Sequence, residues 1–385
     1  MKKKSLFQNL LLAAVSLAIV LLAADFAVRQ VNGFHYRRAA AGFKGSPRTG
    51  GEFILINSRW FRSNVDKRAL DGGKPLVLFV GDSIALGYSL KTAGHAYPEL
   101  FGNILLMLPG AAGTYFAGNI SGLGANTSLE ALAFRHMLGR SGRAPELLAV
   151  GYCLNDIFFS IDEENRGLVP VLKALVENRK TGSSGEDVYS NYYSREKNRR
   201  MVKAAFSDIA SASGSRTKTL VAIFPFFLDS KDGKYPYLKL HEQVASYAEN
   251  AGLDPLDLYP FFAEFPLSSF TSRNDTTHPG PLGHKFAADA IYWYIATRKI
   301  LPFPEVASIP GLKRETRMER AGNFCESLFA GEIRFGFSSC ERILQELISE
   351  GRIFSGTDPG FFMIDWQAAG AEPRRMGRGD RRNLP

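Results

Sequence analysis

Four short blocks of the chain carry residue types that together suit acyl-transfer chemistry. The first is Phe79-Val80-Gly81-Asp82-Ser83, in which a serine follows the apolar run LVLFV. If that run is a buried strand, Ser83 sits at the carboxyl edge of a sheet, where doubly wound folds place their sites. The amides of a following helix would then face the serine and any oxyanion formed there. An ordinary N-cap serine fits the same residues. The second block is Asp275-Thr276-Thr277-His278-Pro279. A serine nucleophile needs a base, and the base needs an orienting carboxylate. An Asp three residues before a His, in a turn, can reach Nδ1 and leave Nε2 for the serine proton. Asn119-Ile120-Ser121-Gly122-Leu123-Gly124 offers a glycine whose backbone N–H can approach a substrate oxygen. Gly151-Tyr152-Cys153-Leu154-Asn155-Asp156 offers an amide donor in Asn155. Each block alone also suits a plain turn. Together they fall at strand ends or in the last loop.

Other chemistries lack their patterns. Ser83 is followed by Ile84-Ala85, so the G-x-S-x-G elbow is missing. There is no H-E-x-x-H and no G-x-x-x-x-G-K-[ST], and His241-Glu242 lacks a second histidine. No metal and no cofactor are expected. His95, His136 and His284 read as structural or surface residues, and Cys153 as a buried small hydrophobe. No C-x-x-C occurs, and Cys325 and Cys340 can pair if they face an oxidising compartment.

These blocks need a sheet to bring them together. Residues 76–80, 113–120, 146–152, 219–227 and 256–262 read as strands, and helical patterns fall between them, at 128–139 and 236–251 for example. That alternation predicts an α/β domain with a parallel sheet. Residues 282–297 read as a final amphipathic helix. The polar insertion 157–218 reads as a lid, a binding loop or a disordered excursion. Residues 301–385 read as a Pro-rich linker, a short helix after Ser338 and a basic tail.

The chain of 385 residues is 45% hydrophobic with a net charge of +9. Residues 1–50 carry +7 and 371–385 carry +3, which leaves −1 on the body. A nucleic-acid-binding face is therefore not expected. Lys2, Lys3 and Lys4 precede an apolar run, and residues 6–28 are long enough to span a bilayer. An anchor and a cleaved signal peptide both fit; Leu22 suits a cleavage site poorly, which favours the anchor. Four parts are expected: an anchor or transmembrane helix at 1–29, a stalk and lead-in at 30–73, the catalytic domain at 74–300 and an extension at 301–385. The domain is expected outside the cytoplasm.

With these blocks in this order, residues 74–297 resemble the SGNH hydrolases, also called GDSL esterases and lipases. Gly81-Asp82-Ser83 matches that family's first block, Ile120-Ser121-Gly122 its second, Asn155-Asp156 its third and Asp275-x-x-His278-Pro279 its last. The resemblance implies a flavodoxin-like three-layer α/β/α sandwich. It also implies Ser83 as nucleophile, His278 as base and acid, and Asp275 as its orienting partner. Ser83, Gly122 and Asn155 would form the oxyanion hole. One departure is that Gly151 lies four residues before Asn155, whereas the family often has a glycine two before. The implied activity is hydrolysis of a small acyl ester, such as an acetyl group, on a cell-envelope glycan or lipid. Transfer of the acyl group to an envelope polysaccharide, or a non-catalytic envelope module, are the alternatives.

Overall fold

Short runs of buried apolar residues form the central strands here. The structure, a computed structural model of the chain, describes residues 52–56, 59–65, 73–108, 110, 115–157, 185–228, 234–272, 275–330 and 336–367, with Ser16, Val20 and Ala23. The expected span at 6–28, residues 158–184 of the insertion and the basic tail otherwise lie outside the described residues. Among the described residues no helix is long and apolar enough to cross a membrane.

The main sheet contains β1 (Glu52–Ile56), β2 (Arg59–Ser63), β3 (Leu76–Gly81), β4 (Phe116–Gly122), β5 (Leu147–Cys153), β6 (Lys218–Phe224) and β7 (Asp254–Asp257). Its order is β1-β2-β4-β3-β5-β6-β7. The segment from β4 to β7 is parallel, and β1 and β2 are antiparallel. Taken alone, the parallel strands run in the flavodoxin-like order 2-1-3-4-5. β3 and β5 are buried along their whole length, which explains their unbroken apolar sequence.

Helices α1 (Ser83–Leu86), α2 (Tyr97–Met107), α3 (Thr127–Ser141), α4 (Gly185–Ser194), α5 (Glu196–Ser213), α6 (Leu238–Asn250), α7 (Tyr259–Phe262) and α8 (Pro281–Thr297) complete this layer structure. The chain leaves β3 in one direction along the sheet and then reverses. Right-handed crossovers therefore put α2 on one face and α3, α5 and α6 on the other. α8 returns to pack on α2, while α3 packs on α5.

Several expectations change. The strand expected at 219–227 stops at Phe224, because Pro225 has no N–H to pair. The strand expected at 256–262 ends at Asp257, and Pro260 then sits in the first turn of α7. Residues 185–213 are helical rather than a loop. Val202, Ala205, Phe206 and Ile209 give α5 a buried stripe, so α5 is the crossover helix between β5 and β6. The lead-in at 30–73 contains the β1–β2 hairpin, which extends the sheet beside β4.

The largest change lies beyond residue 300. β8 (Thr271–Ser272) and β9 (Asp275–Pro279) form a small ribbon before α8. After it, β10 (Lys313–Arg314), α9 (Arg320–Leu328), α10 (Phe337–Ser349), β11 (Ile353–Ser355) and β12 (Phe362–Ile364) build a folded cover, not a linker. Cys325 of α9 and Cys340 of α10 are disulfide-bonded. The cover lies on the outer face of α8. Trp366 packs edge-on against Phe261 and Phe286, with centroids 5.0 and 5.2 Å away. α8 is thus buried from Pro281 to Ala296 and is not amphipathic. Its two buried charges satisfy each other, with Lys285 Nζ donating to Asp289 Oδ1 at 2.5 Å. Asp289 Oδ2 accepts from the Ile364 N–H at 3.1 Å, which fastens β12 to the helix.

The disulfide closes a segment with a sequence separation of 15. Replacing both cysteines by serine should lower stability by about 3 kcal/mol, the entropy expected for a loop of that size. Chemical denaturation of the oxidised protein and the double variant measures this. Equal midpoints would mean that the bond contributes nothing to the cover.

Candidate active site

β3 delivers its last residue, Gly81, opposite Ser121 of β4 and Gly151 of β5. Asp82 follows as the N-cap of α1, its Oδ1 accepting from the Ile84 N–H at 2.8 Å. Ser83 is therefore the first residue of a helix and lies at the carboxyl edge of the sheet. Gly81 has no room for a side chain, since a Cβ would press on Ala85 at 2.7 Å. This close approach is what sets α1 tight against β3.

His278 comes from the other end of the chain. Its Nε2 lies 2.8 Å from Ser83 Oγ, and its Nδ1 lies 2.6 Å from Asp275 Oδ2. The turn closes around the carboxylate. Asp275 Oδ1 accepts from the Thr277 N–H, the Thr277 hydroxyl and the His278 N–H, at 3.0, 2.8 and 3.1 Å. Burial pushes the Asp275 carboxyl up, but the hydrogen bond and charge of His278 and the Thr277 bonds outweigh it. The net effect holds the group below the usual carboxylate range. An ionised Asp275 favours the His278 tautomer with its proton on Nδ1, which leaves Nε2 facing Ser83 Oγ.

The two glycines of the second block play different parts. Gly124 has φ +61°, and the turn is closed by the Ala125 N–H donating to Gly122 O at 3.0 Å. Gly122 ends β4, one residue beyond the register position level with Gly81. A Cβ there would meet the Phe61 ring at 2.9 Å, so β2 walls off that side. Asn155 sits in a single 3₁₀ turn after β5. Asp156 Oδ2 accepts from the Cys153 N–H at 2.7 Å and fixes this turn. The Tyr193 hydroxyl of α4 donates to Leu154 O at 3.3 Å. The structure thus brings Ser83, Asp275 and His278 into one hydrogen-bonded chain and sets Gly122 and Asn155 on the same sheet edge. Cys153 lies just beneath, and burial keeps its thiol well above its ordinary pKa, as suits packing rather than attack.

Sequence reading did not find the residues that fix these parts. Ser89 Oγ donates to Pro279 O at 2.6 Å and ties the loop after α1 to the His278 loop. Thr277 and Asp156 lie inside blocks already singled out, but their roles need a folded turn to be seen. A second Asp–His–hydroxyl chain was also missed. His241 Nδ1 is 2.7 Å from Asp257 Oδ1 and its Nε2 is 3.0 Å from the Tyr235 hydroxyl. That hydroxyl also accepts from the Phe226 N–H at 3.0 Å, and His241 is fully buried. Its lone pair is engaged, and burial raises the phenol well above its ordinary pKa. This second chain fastens the loop after β6. Among the described residues no cluster of His, Cys, Asp or Glu has the arrangement to hold a metal.

His284, expected to be structural or at the surface, is buried in α8. Its Nδ1 accepts from the Tyr97 N–H at 3.2 Å. His136 lies on the exposed side of α3.

No protein-family model matches the chain, and no curated protein matches it. Solved structures similar to it include the salicylyl-acyltransferase SsfX3 from a tetracycline biosynthetic pathway, at 15% identity and a TM-score of 0.38. That match covers 60% of this chain, which spans only 57% of that protein. LAE5, an α/β hydrolase from the metagenome of Lake Arreo, Spain, is 18% identical with a TM-score of 0.37, covering 60% of this chain and 96% of its own. A catalytic mutant of Axe2, an acetylxylan esterase from Geobacillus stearothermophilus, is 14% identical with a TM-score of 0.35, covering 59% and 94%.

The buried imidazole of His284 makes a pH prediction. Burial, then the charges of His278 and His95, push it down from 6.5 to about 3. The folded protein keeps this group neutral while the unfolded chain protonates it. Its contribution is complete above about pH 6.5 and is lost as pH falls towards the folded value, by about 1.4 kcal/mol per unit. His284→Gln should therefore lose less stability than wild type between about pH 7 and about pH 4.5. Parallel denaturation curves at the two pH values decide it, and equal losses would contradict the assignment.

Proposed function

We propose that the protein is a serine ester hydrolase that works through an acyl-enzyme on Ser83. The observation that carries this reading is the unbroken chain from Asp275 through His278 to Ser83, at 2.6 and 2.8 Å. In this reading His278 Nε2 takes the Ser83 proton as Oγ bonds to the ester carbonyl carbon. The carbonyl oxygen becomes an oxyanion. In this reading the Ser83 N–H, the Gly122 N–H and the Asn155 amide are its donors, stabilising charge that exists only during reaction. The tetrahedral centre collapses, the bond to the alcohol oxygen breaks, and His278 returns the proton to that oxygen. Water then gives a proton to His278 and its oxygen attacks the acyl carbon. The Oγ–acyl bond breaks, and Ser83 regains its proton. Asp275 holds the tautomer and stabilises the imidazolium.

A nearly neutral body suits an uncharged ester, and we read the acyl group as small, such as an acetyl on a cell-envelope glycan. The Cys325–Cys340 disulfide supports a place outside the cytoplasm, where such bonds persist. The N-terminal apolar run supports membrane attachment there, with 74–300 as the catalytic domain.

Release of p-nitrophenol from acetate, butyrate and octanoate esters tests the reading. Ser83→Ala should retain less than about a thousandth of the wild-type rate and lose labelling by a fluorophosphonate. Asp275→Asn should keep its fold and lose about 10³- to 10⁴-fold in kcat, since the wrong imidazole tautomer would face Ser83. A burst without turnover would mean that an alcohol, not water, is the acceptor. A folded wild-type protein with neither turnover nor labelling would sink the catalytic assignment.

A further inference from the structure

The donors around Ser83 address the acyl half of an ester, and the alcohol half has its own wall. When the bond to the alcohol oxygen breaks, that oxygen must lie within reach of His278 Nε2 to receive its proton. The alcohol group therefore rests against the imidazole, and a side chain beside that ring touches it. Tyr88 occupies this place. Its ring centroid is 5.2 Å from that of His278, tilted by 53°.

Tyr88 is 44% exposed and is the one aromatic residue among the exposed large hydrophobic side chains described. It is also held firmly. Its N–H donates to Ser83 O at 3.0 Å, and the Leu90 N–H donates to Gly87 O at 3.0 Å. Gly87 has φ +73°, and a Cβ there would press on Ala96 at 2.9 Å, so the turn before Tyr88 has one shape. On the other side Ser89 is bonded to the Pro279 carbonyl, next to His278.

With its backbone held on both sides, the exposed Tyr88 ring can offer a face to a ligand beside His278. A long acyl chain calls for an enclosed apolar pocket. An open face beside the leaving group instead suits a ring with C–H bonds on its face and hydroxyls around its edge in water. That is the shape of a pyranose. We propose that Tyr88 is the platform on which the sugar ring of an acylated glycan stacks, so that the alcohol half of the substrate is a carbohydrate. The proposal rests on Ser83 being the nucleophile.

The experiment compares glucose pentaacetate with ethyl acetate, both followed by acid release at constant pH. Tyr88→Ala should lower the ratio of the two kcat/KM values about fivefold, the scale of one aromatic contact, mainly through KM for the sugar. Tyr88→Trp should restore the ratio. An equal fall on both esters would overturn the proposal. So would an intact sugar ratio with a selective loss on ethyl octanoate, which would assign Tyr88 to the acyl chain. A second arm removes chemistry. Ser83→Ala should bind glucose pentaacetate in calorimetry, about fivefold more tightly than the Ser83→Ala/Tyr88→Ala protein. Absent or equal binding overturns the platform. Tyr88-dependent binding by a protein whose wild type hydrolyses neither ester would keep the platform and overturn the hydrolase reading.

Discussion

Ser83 and His278 are 195 positions apart in the chain, yet Oγ of one and Nε2 of the other stand 2.8 Å apart. Proton transfer across such a contact needs the two atoms within about 2.6–3.2 Å in the reacting complex. The rest of the fold is arranged around this requirement. The serine side is fixed by a fully buried strand and by the close approach of α1 to Gly81. The histidine side is fixed by the Asp275 turn and by α8, which begins three residues after His278. The Ser89–Pro279 bond then joins the two sides directly. Each restraint is modest, and they act on one distance.

Near Ser83 the protein tolerates polar groups that would ordinarily be costly to bury. Asp82, Glu130 and Asp156 are each at most 1% exposed. Burial raises all three carboxyls, and the repulsion among them adds to the effect for Glu130 and Asp156. Asp82 caps α1 and Asp156 closes the Asn155 turn, so both carry backbone N–H groups that need an acceptor. Glu130 has no such bond at either oxygen among the described residues. A charge there would be stranded in a low dielectric, so this residue is the one of the three best suited to hold its proton.

The site was legible in the sequence because its four blocks are local. Gly81-Asp82-Ser83 and Asp275 to His278 each carry their geometry within a few residues, a strand end with a cap and a turn around one carboxylate. The five parallel strands were legible as apolar runs, with ends misjudged most where Pro225 and Pro260 intervene and by up to three residues at β4. What escaped was long-range. Tyr88 gains its meaning from a histidine 190 positions away, and Tyr235, His241 and Asp257 meet only because α6 and β7 bring them together. The β1–β2 hairpin was hidden because its strands are short and Arg59 and Arg62 interrupt the apolar pattern. Arg62 is nevertheless buried and bonded to Glu99 of α2 at 3.1 Å, which holds the hairpin on the sheet.

The misreading of α8 shows what the segment beyond residue 300 covers. A helix that closes a doubly wound domain ordinarily shows water one face, and sequence periodicity was read that way. Here the outward face carries Phe286, which meets Trp366, and Asp289, which accepts from Ile364. Without the segment that supplies Trp366 and Ile364, an apolar face and a Lys–Asp pair would lie open to water. The pair would gain solvent, while the packing that holds the helix, and with it the loop bearing His278, would be lost. The disulfide between α9 and α10 acts on that same cover. The segment beyond residue 300 is therefore the outer half of the support for His278, although it contributes no atom to the hydrogen-bonded chain itself.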